Sequence, residues 1–331
     1  MPVFVCLWLL CCGVRGYAQE GARADTVRVY QLQGVHILGE RSAVEIPGSF
    51  TRVVPQRYEE FHAVSIEEIL RSVPGVFARL EDGFGLRVNV GIRGLPPTRS
   101  EKVLVLEDGI PIAPAPYGYP ELYYHPPLER FHSVEVVKGG GQVLYGPQTI
   151  GGVINYLTPQ PLAGQRWYLR AAGGTRGYGK LYLRYGTVAE GGGAVMVDGL
   201  YKRGELNREN TGTRIWDVST KALLRLGPGE RLLLKLDCYD EITQATYAGL
   251  TQVQFEENPF QNPFAHDTFL VERYAGHVRW EREVGRGKLS VTGYGAYLQR
   301  DWWRQGSLVR QQTADGRDTL VSADNLSLIH I

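Results

Sequence analysis

The sequence predicts an α+β domain over residues 45–160, followed by the first strands of a transmembrane antiparallel β-barrel. Three observations carry this. Among 331 residues Gly (41) and Tyr (19) are frequent and Met (2) is rare, which suits turns, close backbone approaches and aromatic strands better than long helices. After Pro159-Gln160-Pro161 the texture changes to segments of about ten residues that alternate without helical periodicity. The connections alternate as well: tight turns at 189–192, 227–229 and 285–287 take turns with longer loops at 204–213 and 241–269. Short turns on one rim and long loops on the other are how membrane barrels are built.

The first element is an apolar run from Val3 to Val14, the length of a signal-peptide core and too short for a membrane helix. Gly16 and Ala18 place cleavage before Gln19, so residues 1–18 are expected to be a signal peptide. A lipoprotein signal would need a small residue before the modified cysteine, and Leu10-Cys11 lacks it. Cys6, Cys11 and Cys12 leave with the signal, and Cys238 alone remains, so no internal disulfide forms. Residues 19–44 lack helical periodicity and hold short extended pieces at Val27, Val29, Val35, Ile37 and Leu38. A helix starts at Ser65, where Ser65 and Glu68 form a capping box and Ile66, Ile69, Leu70 and Val73 share a face; Pro74-Gly75 stops it. Leu86, Val88, Val90 and Ile92 alternate with Arg87, Asn89 and Arg93, the pattern of a half-buried strand. Val103–Leu106 and Val134–Val137 are apolar runs ended by Asp108-Gly109 and Gly139-Gly140-Gly141, which read as interior strands with tight exits. Beyond residue 161 seven strands are expected: Gln165–Gly173, Gly179–Val188, Ala194–Arg203, Arg214–Leu226, Arg231–Asp240, Leu270–Val284 and Lys288–Trp302. Trp167, Tyr168, Tyr201, Trp216, Trp302 and Trp303 sit near strand ends, where interface girdles form. A soluble β-sandwich is the alternative, with strands usually shorter than these.

Charge excludes some partners. Thirty-six Lys+Arg against thirty-five Asp+Glu leave +1, so no basic excess points to nucleic acid. The glycines from Gly139 to Gly152 are not followed by the Lys-Ser/Thr of a phosphate loop, and Leu144 occupies the third-glycine position of a dinucleotide fingerprint. No nucleophile elbow or H-E-x-x-H is present, and the seven histidines are scattered without zinc spacing. Nothing supports an enzyme.

Several segments then share one resemblance. Leu32-Gln33-Gly34-Val35-His36-Ile37-Leu38-Gly39-Glu40-Arg41 resembles the opening segment of TonB-dependent outer-membrane receptors, departing from it at Gly34, His36 and Leu38. Ser65–Val76, Ile92-Arg93-Gly94, the L-E-D-G-I-P of Leu106–Pro111, and Val134–Thr158 follow in the order of that family's plug domain. The resemblance covers residues 27–160, and the barrel texture continues it to 325. It implies a plug inside a barrel of ~22 strands, of which about 7 are present here. It also implies an outer-membrane location and a ligand bound on the outer face. By the same resemblance the ligand would cross when the inner-membrane coupling protein TonB pulls on the plug.

Roles follow from the same resemblance. Leu32, Val35, His36, Ile37 and Leu38 would be the coupling segment, an extended piece that a partner sheet captures by strand addition. Arg93 and Lys138 match plug positions whose cations pair with barrel-wall carboxylates. A narrower likeness to receptors for ferric dicitrate rests on Arg99-Ser100, Ala113–Gly118, Gly139-Gly140-Gly141, Tyr247–Thr251 and Asn262-Pro263-Phe264. It departs at Gly118-Tyr119-Pro120-Glu121, and Glu121 disfavours an anion, so a metal chelate is expected rather than citrate in particular. Arg99 and Tyr117, then Tyr119 and Gln148, are the ligand-binding candidates, because a guanidinium and phenols suit the negative charge and oxygens of ferric chelates. No resident cofactor is expected; ferric iron would arrive in the ligand. The expected partners are TonB, outer-membrane lipid and a ferric chelate. A cobalamin or carbohydrate receptor, or a signalling receptor, stays open. Lastly, Leu326-Ser327-Leu328-Ile329-His330-Ile331 is what a transposon-end sequencing adapter encodes in one frame. An N-terminal fragment whose native sequence ends near Asn325, with 326–331 a non-native tail, is therefore expected.

Overall fold

The structure, a computed structural model, describes residues 48–54, 63–80, 82, 84–100, 102–113, 123–161, 167–189, 192–205, 208–244, 249–305, 308–312, 318–322 and 326–330. The expected signal peptide, the coupling residues Leu32, Val35, His36, Ile37 and Leu38, and the candidates Tyr117 and Tyr119 lie outside these residues.

The N-terminal domain is built on a five-stranded mixed sheet. Its strands are β1 (Ser49–Val53), β4 (Val103–Glu107), β5 (Ile110–Pro111), β6 (Ser133–Lys138) and β7 (Gly152–Leu157), in the order β1-β6-β7-β4-β5. β4 and β7 run parallel and the other pairs antiparallel. A separate hairpin joins β2 (Val76–Leu80) to β3 (Val88–Ile92). The helix α1 (Ile66–Arg71) starts as the capping box requires, with Ser65 N–H donating to Glu68 Oε1 at 3.1 Å. Its Ile66, Ile69 and Leu70, with Val73 beyond its end, are buried against Val88, Val90, Ile92, Val134, Val136 and Ile154 in one apolar core.

β3 corrects one expectation. It is buried on both faces, not half-buried. Two of the three polar residues that alternate with the apolar ones are enclosed, Arg93 alone being exposed: Arg87 is held by Asp82 and Glu241, and Asn89 lies against Ser100, whose Oγ accepts from Val90 N–H at 2.8 Å. Gly91 is required in this strand, since a Cβ there would lie 1.9 Å from the Leu95 carbonyl oxygen.

The second part is an antiparallel sheet of β8 (Trp167–Gly173), β9 (Gly179–Val188), β10 (Ala194–Gly204), β11 (Thr213–Gly227), β12 (Glu230–Thr243), β13 (Thr268–Val284) and β14 (Gly287–Gln305), each paired with the next. The seven expected strands are these seven. Several extend further into the long-loop rim than alternation alone suggests, because inward polar residues such as Glu241 and Thr243 continue the ladder opposite Ile215 and Thr213. The loop between β12 and β13 holds a short helix, α2 (Gln252–Glu257), capped by Thr251 and Gln254. Two further strands, β15 (Leu308–Gln312) and β16 (Asp318–Ser322), form a hairpin. A third, β17 (Leu326–His330), pairs with Asp301–Gln305 of β14. Main-chain pairing of that kind is open to almost any sequence, so it carries no information on the origin of 326–330.

The sheet has two chemically distinct faces. One carries Trp167, Leu169, Leu181, Leu183, Tyr185, Val195, Trp216, Leu224, Leu236 and Val278, all exposed. The other carries buried Asp198, Lys202, Asp217, Lys221, Lys235, Asp237, Glu241 and Arg273. Apolar outside and polar inside, at period two, is the pattern of a barrel wall in lipid. Among the described residues no helix is long and apolar enough to cross a membrane.

Candidate functional site

The polar face of the sheet is where the N-terminal domain sits, and charge fixes it there. The centre is the Glu107-Asp108-Gly109 turn between β4 and β5. Asp108 adopts a left-handed backbone (φ 50), which aims its carboxylate at β7 and the wall. It accepts from Thr158 N–H at 2.9 Å, Thr158 Oγ1 at 2.6 Å, Lys235 Nζ at 2.8 Å and Lys221 Nζ at 3.3 Å. Glu107 accepts from Lys235 at 2.7 Å and from Arg130 at 3.1 Å. Arg130 in turn makes a two-pronged pair with Asp217 of β11, with Nε at 3.0 Å from Oδ2. Burial alone would raise both acids. The two lysines outweigh it for Asp108, holding it far below the carboxylate range, while Lys235 and Arg130 hold Glu107 at about 2.

Two outlying clusters extend the contact toward the long-loop rim. Glu129 receives Lys180 of β9 at 2.8 Å and lies 3.8 Å from Lys202 of β10, whose ammonium also donates to Val64 O just before α1. Arg87 meets Glu241 of β12 at 2.7 Å and stacks over Phe269 of β13 at 4.4 Å. Wall arginines repeat that motif on plug tyrosines: Arg273 over Tyr124 at 4.5 Å and Arg300 over Tyr123 at 3.9 Å. These partners escape sequence reading, although the wall half left a signal: Lys202, Asp217, Lys221, Lys235, Asp237 and Glu241 all fall on the inward register.

Arg93 and Lys138 stand apart from this network. Lys138 Nζ donates to Pro74 O at 2.7 Å, and Arg93 is exposed with a left-handed backbone (φ 58). Burial, reinforced by the nearby Arg93 cation, lowers the Lys138 pKa. Among the described residues neither cation meets a carboxylate. The two are neighbours, close enough to repel one another.

Of the ligand candidates, Arg99 lies exposed in the turn that leads into Ser100, and Gln148 is exposed with φ 64. Their loops adjoin, since Gly151 N–H donates to Lys102 O at 2.7 Å and Leu95 packs against Gly151. On the long-loop rim two wall loops are tied together. Asn210 and Asn262 each donate to the other's carbonyl, at 3.3 and 3.0 Å, Glu209 N–H donates to Phe260 O at 2.7 Å, and Arg208 Nε donates to Gln261 O at 3.1 Å. A hollow lined by Arg208, Leu250, Thr251, Gln252, Phe255 and Pro259 opens between these loops. No cluster of three or more metal-ligating side chains occurs among the described residues.

Residues 42–153 match the protein family described as TonB-dependent Receptor Plug Domain. The vitamin B12 transporter BtuB of Vibrio vulnificus is 37% identical over 142 residues, 43% of this chain and 22% of that protein. BtuB of Photobacterium profundum is 33% identical over 139 residues, 42% and 22% of the two chains. The unliganded ferric citrate transporter FecA superposes with a TM-score of 0.71 at 27% identity, over 80% of this chain and 42% of that one. The ferric yersiniabactin uptake receptor FyuA of Yersinia pestis shares the fold at 17% identity, with a TM-score of 0.64 over 80% and 42%. The chain spans about a fifth of the length of the curated relatives it matches.

Proposed function

We propose that the chain, with its plug domain seated on barrel strands, is part of a TonB-dependent receptor of the outer membrane and that this receptor imports a ferric chelate. TonB-dependent receptors are transporters, not enzymes. The reading of the ligand is supported by one observation: the chain superposes on the ferric citrate transporter over 80% of its length at 27% identity. Arg99 and Tyr117, supported by Tyr119 and Gln148, would hold the chelate on the plug, with the tied wall loops offering a second surface to it. A loop platform braced by reciprocal hydrogen bonds loses little entropy on binding. Iron belongs to the cargo, and no resident cofactor takes part.

Energy enters through Leu32, Val35, His36, Ile37 and Leu38. A partner sheet from TonB would take up this segment by main-chain pairing, which tolerates departures such as His36. Arg93 and Lys138 would serve a second coupling role. Two adjacent cations repel unless a carboxylate joins them, so each is proposed to pair with a wall acid.

Val35→Pro removes a ladder donor from the coupling segment. Cells carrying it should bind ferric chelate at the surface at wild-type level and accumulate none; uptake equal to wild type contradicts the coupling role. A second reading, cobalamin import, is favoured by the B12 transporters among the sequence relatives. Competition between labelled ferric chelate and cobalamin on the same cells separates the two.

A further inference from the structure

Two lysines stand side by side on the inward face of the wall. Lys221 of β11 is the direct ladder partner of Lys235 of β12, and both are almost wholly buried, at 1% and 2% exposure. Like charges directly opposite each other on adjacent strands repel, so a wall that keeps this pair in its interior needs an anion beside it. The wall itself supplies little. Asp237, diagonal to Lys221 on the same ladder, accepts from Ser219 Oγ at 2.6 Å and lies 3.6 Å from Lys235. Asp217, the next inward acid on β11, is taken by Arg130 of the plug.

The remaining negative charge comes from the plug. Asp108 Oδ2 accepts from Lys235 Nζ at 2.8 Å and from Lys221 Nζ at 3.3 Å, and Arg279 of β13 donates to the Asp108 carbonyl at 3.3 Å. Glu107 accepts from Lys235 alone of the two lysines, at 2.7 Å. Every hydrogen bond that Lys221 makes among the described residues goes to a plug atom: Asp108 Oδ2, Thr158 Oγ1 or Pro159 O. One carboxylate, carried at the tip of the tight β4–β5 turn, therefore serves both lysines. Their seat belongs to the wall, and two ammonium groups accept a carboxylate from any chain or molecule that brings one.

We infer that Lys221 and Lys235 form a carboxylate-binding site on the barrel wall, which Asp108 fills at rest and which the carboxylates of an anionic cargo occupy when the β4–β5 turn withdraws. The second part rests on the import reading, because import parts plug from wall; the first part does not. Exchange of one carboxylate for another keeps the lysines opposed by an anion, and so avoids the cost of two buried ammonium groups left alone.

Chemical rescue tests the site in the complete receptor, purified in detergent. Asp108→Gly suits the left-handed backbone (φ 50) and removes a group that acetate or formate can replace. Amide exchange of Val103–Ile112 should be faster in Asp108→Gly than in wild type, and acetate at about ten times its Kd should slow it again by about tenfold. Acetate should have no such effect on wild type, whose site is filled, or on Asp108→Gly/Lys221→Met. Exchange in Asp108→Gly that acetate and formate leave unchanged, or that chloride at equal ionic strength slows as much, overturns the inference. Transit is read in cells carrying Asp108→Asn/Lys221→Met, which removes both charges of the pair together and serves also if Asp108→Gly fails to fold. Uptake of radiolabelled ferric citrate at saturation should fall by about fivefold or more with surface affinity unchanged, as for an interaction made only in transit. A plug that is merely looser would not slow uptake, and uptake at the wild-type rate overturns the inference. Failed rescue beside normal uptake by the wild-type receptor removes this site and leaves the import reading standing. Absent uptake by the wild-type receptor removes that reading, and rescue alone then decides the site.

Discussion

Replacing Asp108 by Asn tests how charge seats the plug. Asn tolerates the left-handed backbone (φ 50) and keeps a side-chain oxygen for Thr158 N–H, while its amide nitrogen replaces the oxygen that accepts from Thr158 Oγ1, Lys221 and Lys235, so the substitution removes the charge together with that acceptor. Lys235 would retain Glu107 at 2.7 Å and Asp237 at 3.6 Å. Lys221 would lose its one close carboxylate, keeping Thr158 Oγ1 at 2.5 Å and Pro159 O at 3.0 Å. A buried ammonium stripped of its carboxylate costs about 3–5 kcal/mol, or roughly a hundredfold or more in an opening equilibrium. The assay is amide hydrogen exchange of Val103–Ile112 in the detergent-solubilised receptor. Asp108→Asn should speed exchange there by about 100-fold, and adding Lys221→Met, which removes the orphaned charge, should recover at least half of the loss in free energy. Exchange accelerated less than about fivefold, or a double variant as unstable as the two single losses added, would refute the reasoning, because coupled charges must not behave additively.

Other consequences are simpler to measure. His125 is fully buried, donates from Nε2 to Val88 O and receives Tyr156, and burial lowers its pKa to about 4. The unfolded chain takes up its proton first, so plug stability should fall by roughly 3 kcal/mol between pH 6.5 and 4, and a pH titration of plug unfolding in His125→Gln should lose that slope. Glu107 and Asp108, whose folded pKa values are depressed, add stability that is complete above about 4.5 and lost as pH falls toward 2 and below; a plug unfolding curve flat from pH 4.5 to 2 in His125→Gln would contradict the ion pairs. Leu236→Arg places a charge on the exposed apolar face of β12 and should destabilise the receptor in bilayers by about 2–4 kcal/mol, while the same change in a water-facing sheet would be nearly silent. Gly91→Ala brings a Cβ against the Leu95 carbonyl and should cost about 3 kcal/mol or more of plug stability in a denaturant titration.

What could be read from the residues alone divides by sequence distance. The capping box at Ser65 and Glu68 and the period-two strands are local patterns, and they gave α1 and the seven-strand order. Thr251 and Gln254 form the same capping signature inside the long loop 241–269, and α2 is the helix it starts. The wall's inward charges were visible as polar residues at alternate positions, but not their partners. Lys235 meets Asp108 across 127 positions, and no local pattern encodes such a distance. The motif L-E-D-G-I-P was read as a turn, and its two acids proved to be the plug's main grip on the wall. Arg87 was misjudged for the same reason: a cation on an alternating strand looks solvated until Glu241, from a strand far along the chain, covers it. The candidates Arg99 and Gln148 rest on resemblance, and their placement on adjoining loops is new information that the linear sequence does not hold.

The central claim is energised import of a ferric chelate, and labelled uptake tests it most directly. Cells expressing the receptor from its own gene, with and without TonB, are given equal amounts of radioiron chelate and radiocobalt cobalamin. The account predicts iron accumulation that vanishes without TonB while surface binding persists, and no receptor-dependent cobalt. Iron accumulation indifferent to TonB, or accumulation of cobalt alone, would contradict it.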